Sequence, residues 1–163
     1  MAHEKLVELI GLLTCGEVEQ DEIEATAAAV LEAQEDPEFD WVHEMGTSDE
    51  QFMQIALMFE LSSFFAESDK LDEFHEQVSE FFKNPLPPFP YPANQADFPP
   101  SAYFTWLDEL LAARTPAFTL MLMESGVDDM LHGILVHRAT SDRVLALANE
   151  LGIEIERSAA MKG

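Results

Sequence analysis

Apolar side chains recur at the three- and four-residue spacing of an amphipathic α-helix through most of the first 84 residues. The spacing predicts one helix over 3–14 and a second over 17–34. A third helix follows a capping box at 47–50. Its apolar positions continue as far as Phe65, which indicates a central helix with a wide buried surface.

Two irregular stretches interrupt the helical pattern, one before the third helix and one after a fourth helix, which ends near residue 84. Residues 37–46 are irregular, and Phe39 and Trp41 are predicted to anchor them in the core. Residues 85–100 hold seven of the nine prolines, which excludes a helix and favours extended polyproline II. The aromatic residues between these prolines are expected to pin the segment onto the core. The alternative is a ligand for an SH3-like groove.

Beyond the proline-rich segment, a helix is predicted over 101–113, and the hydrophobic period then changes from that of a helix to that of a strand. Strands are predicted over 117–124 and 130–138. A helix that begins near Thr140 and a short strand at 153–157 complete the pattern. A crossover helix in this position brings the last strand parallel to the strand before it.

These elements predict an α+β protein in which four to five N-terminal helices pack with a small three-stranded ββαβ element. We expect a single domain over 1–163. Its parts are an acidic helical half (1–84), a connector rich in proline and aromatic residues (85–100), an α-ββαβ half (101–157) and a frayed tail (158–163).

The formal charge of −24 changes the picture, because it is concentrated in the helical half. The first 84 residues hold 22 of the 32 acidic residues and three lysines, a net charge of −19, and the remaining residues carry −5. Such a surface repels nucleic acid and anionic membranes, since both are bound through lysine and arginine. It attracts basic proteins and cations. The alternative is that the acidity only keeps an ordinary domain in solution.

Nine acidic residues stand in two dense rows of the helical half and are predicted to contact a basic partner. They are Glu17, Glu19, Asp21, Glu22, Glu24, Glu35, Asp36, Glu38 and Asp40. The rows could imitate a phosphate backbone or cap a basic active site, provided that several helices share one face. The alternative is that they are the solvated sides of amphipathic helices.

The turn between the two predicted hairpin strands is a second candidate site. Glu124, Asp128 and Asp129 cluster there, and His132 follows four residues after Asp128. Several oxygen ligands in one compact loop suit Ca²⁺ or Mg²⁺. The spacing is not that of an EF-hand, however, and aspartate and glycine are also what an ordinary hairpin turn requires.

Other chemistry is weakly indicated. The chain has no His-Glu-x-x-His sequence, nucleophile elbow, Walker loop or dinucleotide fingerprint, so no catalytic residue or cofactor is predicted. Cys15, the single cysteine, excludes an internal disulfide and indicates a reducing compartment. We read neither a signal peptide nor a membrane span, so the expected location is the cytoplasm.

The C-terminal pattern LDELLAARTPAFTLMLMESGVDDMLHGILVHRATSDRVLALANELGIEIER resembles the ending of a family of small acidic bacterial domains of unknown function. The resemblance covers about the last 55 residues. It implies helices followed by a strand, an acidic turn, a strand, a helix and a short strand, and it implies no activity or site residue. In style, the chain also resembles cytoplasmic immunity proteins, which are acidic single domains that neutralise toxins.

The leading hypothesis is a non-enzymatic interaction protein that binds a basic protein partner through its acidic half. An immunity protein, or an inhibitor that imitates nucleic acid, would fit this description. The alternatives are a housekeeping domain and a metal-dependent enzyme centred on Glu124, Asp128 and Asp129.

Overall fold

A computed structural model describes residues 2–88, 100–124 and 130–160, which form an α+β fold. Its α-helices in these ranges are α1 (Ala2–Leu13), α2 (Gln20–Glu32), α3 (Asp40–Glu44), α4 (Asp49–Glu60), α5 (Leu71–Glu80), α6 (Pro100–Ala112) and α7 (Ser141–Leu151). The strands are β1 (Phe65–Ser68), β2 (Phe118–Met123), β3 (Leu131–His137) and β4 (Ile155–Arg157). The α+β class, the helical N-terminal half and the C-terminal strands are therefore confirmed.

The four strands form one sheet in the order β1-β3-β2-β4, and every neighbouring pair is antiparallel. The register pairs Phe65 with Ile134 across β1 and β3, and Leu120 with Leu135 across β2 and β3. Leu122 lies opposite Glu156 of β4.

The predicted three-stranded ββαβ element is wrong in strand number and in pairing. The last strand runs in the same direction as β3 but pairs with β2. The physical reason is that both edges of β3 are already occupied, one by β2 and the other by β1.

Both faces of the sheet are buried, so the structure has two hydrophobic layers. On one face, α1, α2, α4 and α7 pack against alternate strand residues, which are Met121, Met123, Ile134 and Val136. On the other face, α5 and α6 cover the residues between them, which are Leu120, Leu122 and Leu135, together with Ala66. Burial on both faces explains why β2 and β3 are nearly continuous apolar runs.

β1 corrects the sequence prediction, which continued the third helix to Phe65. Helix α4 ends at Glu60, and the chain turns through a short 3-10 segment before it pairs with β3. The outer edge of β1 is closed by a side chain of α5. Gln77 Oε1 accepts from the Glu67 N–H at 2.8 Å, and Gln77 Nε2 donates to the Glu67 carbonyl at 2.8 Å. An edge strand protected in this way does not offer its backbone to another chain.

Smaller corrections concern the ends of the helices. Phe39 is buried as predicted, but Trp41 is 42% exposed, because side chains two residues apart on a helical turn point in different directions. The cap of α4 is Ser48, whose Oγ accepts from the Gln51 N–H at 3.2 Å, one residue later than the capping box predicts. The fourth predicted helix, α5, ends at Glu80 and not near residue 84, and Phe81, directly after it, is exposed.

Among the described residues, no helix combines the length and the apolar character needed to cross a membrane.

Candidate functional site

The nine acidic residues predicted to bind a partner are at the surface, but they do not form one cluster. Eight of them are exposed and Asp36 is half-buried. One group (Glu17 to Glu24) lies at the N-terminal end of α2, and the other (Glu35 to Asp40) follows its C-terminal end. Because an α-helix rises about 1.5 Å per residue, the stretch of α2 from Glu24 to its end at Glu32 separates the two groups by about 12 Å along the helix axis.

The second group belongs to a local site that we call the acidic corner, formed by Asp36, Glu38, Phe59 and Glu60. Burial raises the pKa of Glu60 above its ordinary range, and the negative charges of Glu38 and Asp36 raise it further. These three carboxylates are therefore close enough to repel one another. Glu60 was not among the residues predicted from sequence, because it approaches the others only through the fold.

An exposed aromatic ring stands beside these carboxylates. Phe59, the residue before Glu60, is 53% exposed. Its ring meets the buried Phe39 ring edge-to-face, with 5.2 Å between centroids. Two further apolar side chains are exposed nearby in the chain, Trp41 on α3 and Met45 directly after α3. Phe59, Trp41 and Met45 thus leave apolar surface exposed in the part of the chain that carries the acidic corner.

The backbone around the acidic corner is held by several local contacts. The Asp36 carboxylate accepts from the Glu38 N–H at 3.0 Å and caps the 3-10 turn Pro37–Phe39. The His43 imidazole lies 4.6 Å from the Phe52 ring, and its Nε2 is 2.6 Å from the Gln34 carbonyl oxygen. The corner is thus presented by an anchored turn and not by a free loop.

The predicted metal site is only partly within the described residues. Asp128 and Asp129 lie outside them. Glu124 is exposed after β2, and its backbone carbonyl accepts from the Gln54 side chain. The buried His132 ring is directed to β1, where its Nδ1 is 3.5 Å from Glu67 Oε1. Within the described part of the chain, no three acidic, histidine or cysteine side chains are placed to hold a metal ion, and the site remains a prediction.

The start of the connector is fixed to the core by a buried histidine. His75 Nδ1 lies 2.9 Å from the Tyr103 hydroxyl, and its Nε2 lies 2.7 Å from the Pro87 carbonyl oxygen. A carbonyl can only accept, so Nε2 carries the proton and Nδ1 accepts from Tyr103. Leu86 is buried beside this pair. The aromatic residues predicted to pin the connector, which are Phe89, Tyr91 and Phe98, lie outside the described residues.

A cavity of about 300 Å³ at one end of the sheet is the feature that sequence reasoning missed. Its walls come from the end of α1, the residue before β1, the residues after α5, and the ends of β2 and β3. The aromatic walls are Phe64, Phe81, Phe82 and Phe118. Residues so far apart in sequence share no motif, so no pattern in the chain points to this cavity.

Cys15 lies in the wall of the cavity and is half-buried. Its thiol donates to the Leu135 carbonyl at 3.5 Å. Burial raises the pKa of the Cys15 thiol, a hydrogen bond from the His137 backbone opposes this, and the charge of Glu17 adds to it. A raised pKa leaves less of the reactive thiolate form of Cys15 at neutral pH.

The backbone at Cys15 is in an unusual conformation for a residue with a side chain. Its φ is 54°, and the next residue, Gly16, also has a positive φ of 74°. Only glycine adopts this left-handed region without strain, and strained residues persist where the surrounding structure holds them. The contact with Leu135 is such a restraint, because it fixes the turn after α1 against the edge of β3.

The chain matches no protein-family model, and comparisons with curated proteins and with solved structures likewise find no match. The resemblance in the C-terminal pattern therefore gains no support from them, and function has to be argued from the geometry of the described residues.

Proposed function

We propose that this protein is a non-enzymatic interaction protein that binds a basic protein partner through the acidic corner. The observation that carries the proposal is the half-exposed Phe59 ring, which packs on Phe39 and directly precedes Glu60, a carboxylate that Glu38 and Asp36 repel. Acidity that served solubility alone would not require an exposed aromatic ring beside Glu60.

A cationic partner would improve both the electrostatic and the apolar interactions at the acidic corner. A lysine or arginine placed between Glu60 and Glu38 relieves their repulsion, and it needs no rearrangement of the anchored turn. Burial of Phe59 adds apolar contact area, and aromatic side chains at the centre of an interface commonly dominate its binding energy. The remaining negative charge speeds association and makes it sensitive to salt.

A toxin-neutralising immunity protein is one kind of protein that fits this proposal. An inhibitor that imitates nucleic acid needs a long continuous row of charges. The gap of about 12 Å along α2 between the two acidic groups interrupts such a row and favours the compact corner. We also propose a cytoplasmic location, on the ground of the single cysteine.

The test compares variants that change the same net charge at the two ends of α2. Glu38→Lys alters the acidic corner, and Glu22→Lys is its matched control at the other end. Phe59→Ala removes the ring, and Leu31→Ala removes another exposed apolar side chain. The partner is first captured at low salt from the lysate of the native host with the wild-type protein. Its affinity for each purified variant is then measured by titration.

We expect Glu38→Lys and Phe59→Ala each to weaken binding by about tenfold or more, as hot-spot residues do. The two controls should stay within about twofold, since residues outside a hot spot contribute little. Equal losses for Glu38→Lys and Glu22→Lys would mean that binding follows net charge alone, which contradicts the proposal.

A further inference from the structure

The cavity at the end of the sheet exists because β1 is shorter than β3. β1 pairs with β3 only from Ile134 to Leu131, so the last residues of β3 extend beyond it. In the described part of the chain, the edge of β3 at Leu135 and His137 therefore faces Cys15 and the cavity instead of a strand. A backbone acceptor, the Leu135 carbonyl, is thereby placed in the cavity wall.

The chemistry of the walls is aromatic with one charged group. Four phenylalanine side chains contribute, and two of them, Phe82 and Phe118, meet edge-to-face with 5.4 Å between centroids. The His137 ring stacks on Phe118 at 5.1 Å. Among the described residues that line the cavity, Glu17 carries the one formal charge at neutral pH. Its carboxylate is close enough to Cys15 to raise the pKa of the thiol.

We propose that this cavity binds a small organic cation, an amine carried on an aromatic or aliphatic body. The phenylalanine rings would enclose the apolar body. The ammonium group would donate to the Glu17 carboxylate and to the Leu135 carbonyl, which has a second lone pair beside the one that the Cys15 thiol uses. A volume of about 300 Å³ is at the lower end of the range for small-molecule sites, so the ligand is small.

Three features favour a cation over a neutral or anionic ligand of the same size. The wall offers a carboxylate and a carbonyl oxygen, and both are acceptors. The faces of aromatic rings attract cations, although the positive Arg114 guanidinium, 4.3 Å from the centroid of the Phe82 ring, opposes a second cation on that ring. The net charge of −24 raises the local concentration of cations around the whole protein. Because Arg114 already covers one face of Phe82, the ligand would contact the rings that line the cavity from within.

This site is independent of the proposed protein partner. Glu17 belongs to the acidic group at the N-terminal end of α2, whereas the acidic corner follows its C-terminal end. Failure of one proposal therefore leaves the other standing, and variants at one site serve as controls for the other.

The single cysteine makes a direct experiment possible, since Cys15 lines the cavity and no other thiol competes for a reagent. The rate of Cys15 alkylation by iodoacetamide is measured with three probes of similar size, which are 2-phenylethylamine, 2-phenylethanol and 3-phenylpropanoate. Saturation-transfer NMR on each probe reports binding without reference to the thiol. We expect the amine to bind and to slow alkylation, the alcohol to be about fivefold weaker, and the carboxylate to be without effect. A factor of about five is the order that one solvent-exposed ion pair contributes.

The variant Glu17→Arg should reverse this order, so that the amine loses its effect and the carboxylate gains one. Glu19→Arg, an exposed position two residues further on, changes the net charge equally and should leave the order unchanged. Equal protection by the amine and the alcohol would overturn the preference for a cation. The absence of both a saturation-transfer signal and protection with all three probes would overturn the site. Equal effects of the two arginine variants would show that only the general field of the protein matters, which also overturns it.

Discussion

Gly133 offers the sharpest test of the packing between the sheet and α5. It lies in the middle of β3, between Ala66 of β1 and Leu122 of β2. A Cβ atom at this position would lie 2.6 Å from Phe74 Cζ and 3.1 Å from Leu120 Cδ1. Real Cβ atoms do not approach other atoms to 2.6 Å, so the substitution Gly133→Ala forces the Phe74 ring to move.

Two opposing effects set the size of the change in stability. Overpacking of a well-filled core costs about 1–3 kcal/mol. Replacement of glycine in a strand returns about 0.5–1 kcal/mol, because the unfolded chain loses freedom. The Phe74 ring is fully buried and meets Phe104 edge-to-face, so it has little room to give, and the upper part of the first range applies. We expect a net loss of about 2 kcal/mol, which for a chain of this length lowers the Tm by about 4–8 °C.

The assay is thermal and urea denaturation, with Gly11→Ala as the matched control. In α1, a Cβ atom at Gly11 meets no atom nearer than Ile23 Cδ1 at 3.7 Å, which is ordinary contact. Alanine is better than glycine in a helix by about 0.8–1 kcal/mol, so the same substitution should stabilise the protein there. The predicted effects thus have opposite signs for identical changes.

A second substitution shows whether Phe74 is the cause. The variant Phe74→Leu shortens the ring that obstructs the new methyl group. In a double-mutant cycle, Gly133→Ala and Phe74→Leu should therefore couple favourably by about 1 kcal/mol or more. A Gly133→Ala protein as stable as the wild type, or a cycle without coupling, would refute the packing inferred for this face of the sheet.

Three further predictions concern polar groups and charge. Tyr103→Phe removes the hydroxyl that donates to the buried His75 Nδ1 and should cost about 1–3 kcal/mol in urea denaturation; no loss would contradict the hydrogen bond. The raised pKa of Glu60 means that the folded state holds this proton more tightly, so its contribution to stability is present at acidic pH and is lost as the pH rises through that pKa. Glu60→Gln should therefore stabilise the protein at pH 7 by about a few tenths of a kcal/mol, since the position is exposed, and should bring no gain near pH 4. A lower Tm of the variant than of the wild type at pH 7 would contradict this. Moderate NaCl should raise the Tm of the wild type by screening the charge of −24, and a falling Tm would show that specific ion pairs outweigh the general repulsion.

Elements with a long local pattern were predictable from the sequence. The amphipathic spacing in α1 and α7 depends only on neighbours within the same helix, so their positions followed to within two residues. Gly152, which takes the left-handed conformation after α7, was likewise a local signal. The apolar runs of β2 and β3 stood out because both faces of the sheet are buried.

Elements that depend on distant partners were not predictable. β1 has four residues, too few for an alternating pattern, and Phe65 and Ala66 are buried in the two hydrophobic layers that cover opposite faces of the sheet. The pairing of β4 with β2 also depends on β1, because β1 occupies the edge of β3 that β4 would need in order to pair in parallel with β3. One missed strand therefore accounts for the wrong strand number and for the wrong pairing.

The candidate sites also differ in how many of their residues could be predicted from the sequence. The carboxylates of Asp36 and Glu38 are close in sequence, so composition alone found them, although it could not find Glu60 or the exposed Phe59. The cavity beside Cys15 arises where β1 stops short of the end of β3, so it could not be inferred without β1. The short edge strand β1 has two consequences. Gln77 forms hydrogen bonds with its outer edge, and β3 extends past the end of β1, so that backbone of β3 faces the cavity.

Lengthening β1 is expected to close the cavity. Substitutions at Ser62 and Ser63 that favour a strand should extend the pairing of β1 with β3 toward Leu135 and reduce the rate of Cys15 alkylation.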